Sequence, residues 1–122
     1  MTKRILIIDD QKTNLFILQK QMEFNLEGKF LVYGANNIAE AKDFLKTNNI
    51  NFALIDLHID FEAGEQSGIE LAKYIDANYP NLNYCYISSI DKDNIVGAKI
   101  ETNLGKIFDK EFFARLRDEL YK

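Results

Sequence analysis

Asp56 closes the stretch Asn-Phe-Ala-Leu-Ile-Asp, and Asp9 and Asp10 close the stretch Ile-Leu-Ile-Ile-Asp-Asp. Each run of four apolar residues is too short for a helix and suits a strand buried on both faces, as in the interior of a parallel sheet. In open parallel sheets ligands gather beyond the carboxyl ends of the strands, so carboxylates placed there face a site and not the core. If the two strands are neighbours, three carboxylates converge. Each pair repels by roughly 4 kcal/mol at about 4 Å with an effective dielectric near 20. Such a cluster calls for a cation that accepts oxygen ligands. Two further strand ends carry polar groups: Ser88 and Ser89 follow the apolar run 84–87, and Lys110 follows Ile107-Phe108 by one residue.

The elements that must position these groups alternate along the chain. After the strand at 5–8, Leu15, Ile17, Leu18, Met22 and Leu26 recur at helical spacing until Gly28. A short strand at 30–33 precedes a helix capped by Asn36 or Asn37, with Ile38, Ala41, Phe44 and Leu45 on its apolar side and Asn48-Asn49 at its end. The strand at 52–56 leads into an acid-rich polar stretch, 58–66, predicted to be an exposed loop. Ser67 and Glu70 have capping-box spacing, and Ile69, Ala72, Lys73 and Ile75 continue a helix that Pro80, the only proline, terminates. A strand at 84–87, a weaker helix over 91–102, a fifth strand at 107–108 and a final amphipathic helix through Phe112, Phe113, Leu116 and Leu120 complete the pattern. Strands alternating with helices imply an α/β fold: a five-stranded parallel sheet, doubly wound, with helices on both faces.

A chain of 122 residues, 47% hydrophobic, has the size of one domain spanning 1–122 and buries a core without staples. Its net charge of −4 offers no basic field for a phosphate backbone, so this domain is not expected to bind nucleic acid. Cys85, the single cysteine, excludes an intrachain disulfide and reads as a small core residue. The four-residue apolar run near the N-terminus is too short for a signal peptide, and no segment approaches membrane-spanning length, so a soluble cytoplasmic protein is expected.

The pieces Ile-Leu-Ile-Ile-Asp9-Asp10, Leu-Ile-Asp56-Leu, Ile-Ser88-Ser89 and Phe-Asp-Lys110 stand in one order along the whole chain. Together they resemble the receiver domain of bacterial two-component response regulators, in its single-domain, chemotaxis-regulator-like form. The resemblance implies the flavodoxin-like (βα)5 fold. It implies that Asp56 is the phosphoacceptor, taking a phosphoryl group from the phosphohistidine of a histidine kinase or phosphotransfer protein. Asp9, Asp10 and Asp56, with the main-chain carbonyl of Ile59, would hold Mg²⁺, or Mn²⁺ in its place; Ser88 and Lys110 would bind phosphoryl oxygens. A hard divalent ion takes oxygen ligands and retains waters that phosphate oxygens can replace, which suits these acids independently. The phosphorylated form would then alter binding to a downstream protein target, as a signalling domain without a separate substrate to turn over.

Three features set the chain apart from the family pattern. The loop after Asp56 is about four residues longer and carries Asp60, Glu62 and Glu65, a solvated acidic stretch; Glu111 stands where the family places a proline; and Ile107 occupies the aromatic switch position. His58 is the only histidine and lacks the partners that a zinc site or a nucleophile-base pair requires, which leaves it as a solvent-facing residue beside the site. Two other functions compete with the leading one. A pseudo-receiver would bind its partner without phosphorylation, consistent with Glu111 and Ile107. A small Mg²⁺-dependent phosphohydrolase would use Asp56 as nucleophile, but no substrate cap or second acid serves it.

The resemblance also places Ile59 and Ile90 beside the path by which water reaches an aspartyl phosphate. Neither side chain orients a water, so the positioning that hydrolysis needs is missing and loss of the phosphoryl group should be slow. Replacing Ile90→Glu should speed that loss in a time course of the phosphorylated protein and leave Mg²⁺ affinity nearly unchanged. Unchanged or slower decay would show that Ile90 does not shield the bond.

Overall fold

A computed structural model of the chain describes residues 3–26, 30–56, 67–87 and 110–121. Four strands alternate with helices in the first three-quarters of the chain: β1 (Lys3–Ile8), α1 (Lys12–Asn25), β2 (Phe30–Ala35), α2 (Ile38–Thr47), β3 (Phe52–Asp56), α3 (Ser67–Asn78) and β4 (Asn83–Ile87), followed by α4 (Lys110–Leu120). The strands form one sheet in the order β2-β1-β3-β4, and every neighbouring pair is parallel. The predicted fifth strand at 107–108 and the helix over 91–102 lie outside the described residues, so the described sheet has four strands.

Alternation along the strands divides the core in two. Leu6, Ile8, Ala53, Ile55, Tyr84 and Tyr86 pack on the side of α2 and α3, with Ala41, Leu45, Ile69, Ala72 and Ile75. Ile5, Ile7, Phe52, Leu54, Cys85 and Ile87 pack on the other, with Leu15, Leu18 and Met22 of α1 and Phe112, Phe113, Leu116 and Leu120 of α4. Successive side chains of a strand point to opposite faces, so a strand covered by helices on both sides must be apolar throughout. That is why β1 and β3 read as unbroken apolar runs. Gly34 of β2 admits α1 closely: a Cβ there would lie 2.9 Å from Gln19 Oε1 and 3.0 Å from Leu15 Cγ.

Local signals account for several boundaries. Asn37 caps α2, its side chain accepting from Glu40 N at 2.8 Å while Glu40 Oε1 accepts from Asn36 N at 3.1 Å, a reciprocal closure of the first turn. The ends of the chain are tied together by Lys3, whose Nζ donates to Leu120 O at 2.6 Å and lies 5.4 Å from the Tyr121 ring centroid. A cation at the last carbonyls of α4 also opposes the negative end of the helix dipole.

Two tyrosines on β4 differ in how their buried hydroxyls are satisfied. Tyr84 donates to Asp76 Oδ2 at 3.0 Å, whereas the Tyr86 hydroxyl, fully buried, has no hydrogen-bond partner among the described residues. Burial pushes the ionisation of both phenols upward, with Asp76 adding to the shift of each. A buried hydroxyl without a partner costs about 1–3 kcal/mol, while a hydrogen bond to a charged group such as a carboxylate contributes about 1.5–3 kcal/mol. Tyr84→Phe should therefore lower unfolding stability in urea by roughly 1.5 kcal/mol, and Tyr86→Phe should be neutral or stabilising. Both phenols retain their protons above the ordinary value of 10 when folded, so the stability they confer is complete below pH 10 and declines above it. That alkaline decline should be shallower in Tyr84→Phe.

Candidate metal centre

Asp9 and Asp56 are brought together by register. β1 and β3 are adjacent and parallel, with Ile8 opposite Ile55, so the next residues along the two strands are Asp9 and Asp56. Neighbouring strands lie about 4.8 Å apart, which sets the spacing of side chains that leave the same end of the sheet. Asp10 follows directly. Carboxylate oxygens of Asp9, Asp10 and Asp56 all lie within 4.8 Å of one another. Asp9 and Asp56 are each 1% exposed, the only charged residues buried to this degree among those described, and Asp10 is half-buried.

The surroundings of Asp9 fix its position. Asp9 N donates to Ala35 O at 3.1 Å, and Gln11 N donates to Asp9 Oδ1 at 2.9 Å. Gln11 is the residue before α1, in extended conformation, and its own side chain makes no capping bond to the helix backbone. Its Oε1 instead accepts from Asn14 Nδ2 at 2.6 Å.

The donor set fits a hard divalent cation. Carboxylate oxygens are the ligands magnesium prefers, at about 2.0–2.1 Å, and ligands on opposite sides of one ion are then about 4.2 Å apart. The carboxylate oxygens lie within 4.8 Å of one another, a limit about 0.6 Å wider, within reach of a small side-chain rotation or of a water kept between ion and carboxylate. Buried charges are tolerated when they are paired or hold a metal, and a cation offsets both the desolvation of these acids and their mutual repulsion.

The other residues singled out in the sequence are placed less completely. Lys110 is exposed and begins α4, one element later than the strand end predicted for it, and no ion pair joins it to a described carboxylate. Ser88, Ser89, His58, Ile59, Ile90 and Ile107 lie outside the described residues, as does the acidic stretch with Asp60, Glu62 and Glu65. Sequence reasoning missed the main-chain N–H of Gln11. A donor that belongs to the backbone has no residue type to announce it, although an aspartate two residues before it is a recognised signal for such a bond.

Mg²⁺ should raise the melting temperature by several degrees, since a ligand at one hundred times its Kd stabilises by about 2.7 kcal/mol. In Asp10→Asn, which keeps the shape and removes one charge, the response should shrink. Equal responses from the two proteins would place the ion elsewhere.

Comparisons with known proteins agree with this architecture. The family model described as the response regulator receiver domain matches residues 5–120. Among solved structures, a response regulator from Thermotoga maritima is 20% identical, with TM-score 0.79 and all of both chains covered. A CheY-like receiver domain protein from Methanospirillum hungatei JF-1 is 20% identical, with TM-score 0.76 over 99% of this chain and 95% of that one. The non-phosphorylated HemR receiver domain from Leptospira biflexa is 22% identical, with TM-score 0.76 over 99% and 96% of the two chains. No curated protein matches the chain.

Proposed function

Because the chain belongs to the response regulator receiver family, we propose that it is the phosphoacceptor of a two-component phosphorelay, with Asp56 receiving the phosphoryl group. The observation that carries this reading is the convergence of Asp9, Asp10 and Asp56 at the carboxyl ends of two adjacent strands. A carboxylate oxygen of Asp56 attacks phosphorus, the bond from phosphorus to the imidazole nitrogen of the donor breaks, and the imidazole leaves with the bonding pair. The donor is a histidine kinase or a phosphotransfer protein, which locates the reaction in the cytoplasm.

Asp9 and Asp10 complete, with Asp56, the carboxylate set that would hold Mg²⁺ or Mn²⁺, and the main-chain carbonyl of Ile59 is a further ligand in this reading. When bound, the ion neutralises charge on the phosphoryl oxygens. Ser88 donates a hydrogen bond to one of those oxygens and Lys110 pairs with another. The transfer asks little of the protein beyond holding the reacting atoms in line and neutralising charge, so no separate base is required. The product, an aspartyl phosphate, alters binding to a downstream protein, with Ile107 at the position where the family carries its switch.

A second reading rests on Lys110. It is exposed at the start of α4, next to Glu111 where the family has a proline, so a pseudo-receiver that binds its partner unphosphorylated is the alternative. Incubation with Mg²⁺ and acetyl phosphate separates the two. Intact mass should show one phosphoryl group on the wild type and none on Asp56→Asn. Absence of labelling in a wild type that binds Mg²⁺ would favour the pseudo-receiver, and equal labelling of both proteins would move the acceptor to another residue.

A further inference from the structure

We propose that the main-chain N–H of Gln11 is a positioning donor for the acid cluster, holding Asp9 in the orientation that binding of a divalent cation requires. This rests on the reading of Asp9, Asp10 and Asp56 as a cation site. Asp9 is 1% exposed, its main chain is fixed to β2 through Asp9 N and Ala35 O, and one of its two carboxylate oxygens accepts from Gln11 N at 2.9 Å. The carboxylate is thus held at both ends of the residue. A side chain with one oxygen engaged by a donor that cannot rotate has little freedom about its last torsion.

The same bond has an electrostatic consequence. An N–H directed at a carboxylate oxygen stabilises its negative charge and lessens the repulsion exerted on Asp10 and Asp56. It also joins the cluster to the start of α1, where Gln11 precedes the first helical residue, Lys12. Asp9 therefore supplies the negative charge favoured beside a helix N-terminus, a place where the first turn carries no acidic residue of its own. Groups behind a metal's direct ligands fix ligand orientation, and losing one typically weakens metal affinity by about 10–100-fold.

Two substitutions at one position separate the N–H from the side chain. Gln11→Ala keeps the donor and removes the amide that meets Asn14; Gln11→Pro removes the donor, at a residue whose φ of −91° and ψ of 107° lie near the range open to proline. Mg²⁺ binding is measured by titration calorimetry, and melting in EDTA reports the fold without metal. Gln11→Ala should bind as the wild type does. Gln11→Pro should bind about tenfold or more weakly, with a cooperative transition preserved in EDTA.

Binding by Gln11→Pro within twofold of the wild type would overturn the proposal while leaving the cation site intact. Failure of the wild type itself to bind Mg²⁺ would overturn both. Should Gln11→Pro not fold, the Gln11 amide resonance in the wild-type ¹⁵N spectrum decides. It should shift along the Mg²⁺ titration with the calorimetric midpoint, and by more than the amides of Lys12 and Thr13. A Gln11 amide that does not respond to the ion refutes the assignment.

Discussion

Three carboxylates within 4.8 Å of one another, two of them almost fully buried, are the constraint on which the rest of the structure depends. Left to themselves they would separate, because like charges at this range repel by several kcal/mol even at the moderate effective dielectric of a protein. They stay together because the backbone that bears them cannot move. β1 is paired on both sides, with β2 and β3, so Asp9 and Asp10 leave the sheet at its best-supported point. Asp56 is itself the last residue of β3, opposite Ile87 of β4. The apolar runs behind these acids are the source of the rigidity. Helices cover both faces of the strands, and the energy of that burial holds the charges in place.

In the function proposed above, this division of labour would let a small fold host phosphoryl transfer. The reaction gains chiefly from placement and from charge neutralisation, both of which are properties of a site assembled before the donor arrives. The hydrogen bonds at Asp9 extend the same logic from the strand to the side chain. One runs to Ala35 of β2 and the other comes from the residue preceding α1, so the acid is tied to two elements beyond its own strand.

Much of the fold was legible because burial on both faces leaves an unambiguous trace. The apolar runs at 5–8, 52–55 and 84–87 became strands, Cys85 lies in the core, and every apolar residue predicted for the last helix is buried. Where a surface carries both kinds of residue the sequence said less. Apolar side chains surround much of α1, and while Leu15, Leu18 and Met22 pack inward, Ile17 is exposed together with Phe16 and Phe24. In α3, Lys73 continues the helix as expected but sits on the outer face beside Glu70, while Leu71, which the pattern did not single out, is buried. Strand β2 runs two residues beyond the predicted end because Gly34 and Ala35 continue the ladder with Ile7 and Ile8, a pairing that only the partner strand determines. The acid cluster was legible as residue types at strand ends. Its closeness depended on β1 and β3 being neighbours, which sequence order alone does not settle. The start of α4 at Lys110 reflects the strong amphipathic run that follows it, which draws the lysine into the helix.

The central claim is that Asp9, Asp10 and Asp56 share one divalent cation, and a direct measurement is anomalous diffraction from crystals soaked in Mn²⁺. The account predicts one strong peak at coordination distance from oxygens of these three residues, lost from crystals of Asp10→Asn. Absence of a peak there, or a peak seated instead among the acids of the loop after Asp56, would contradict it.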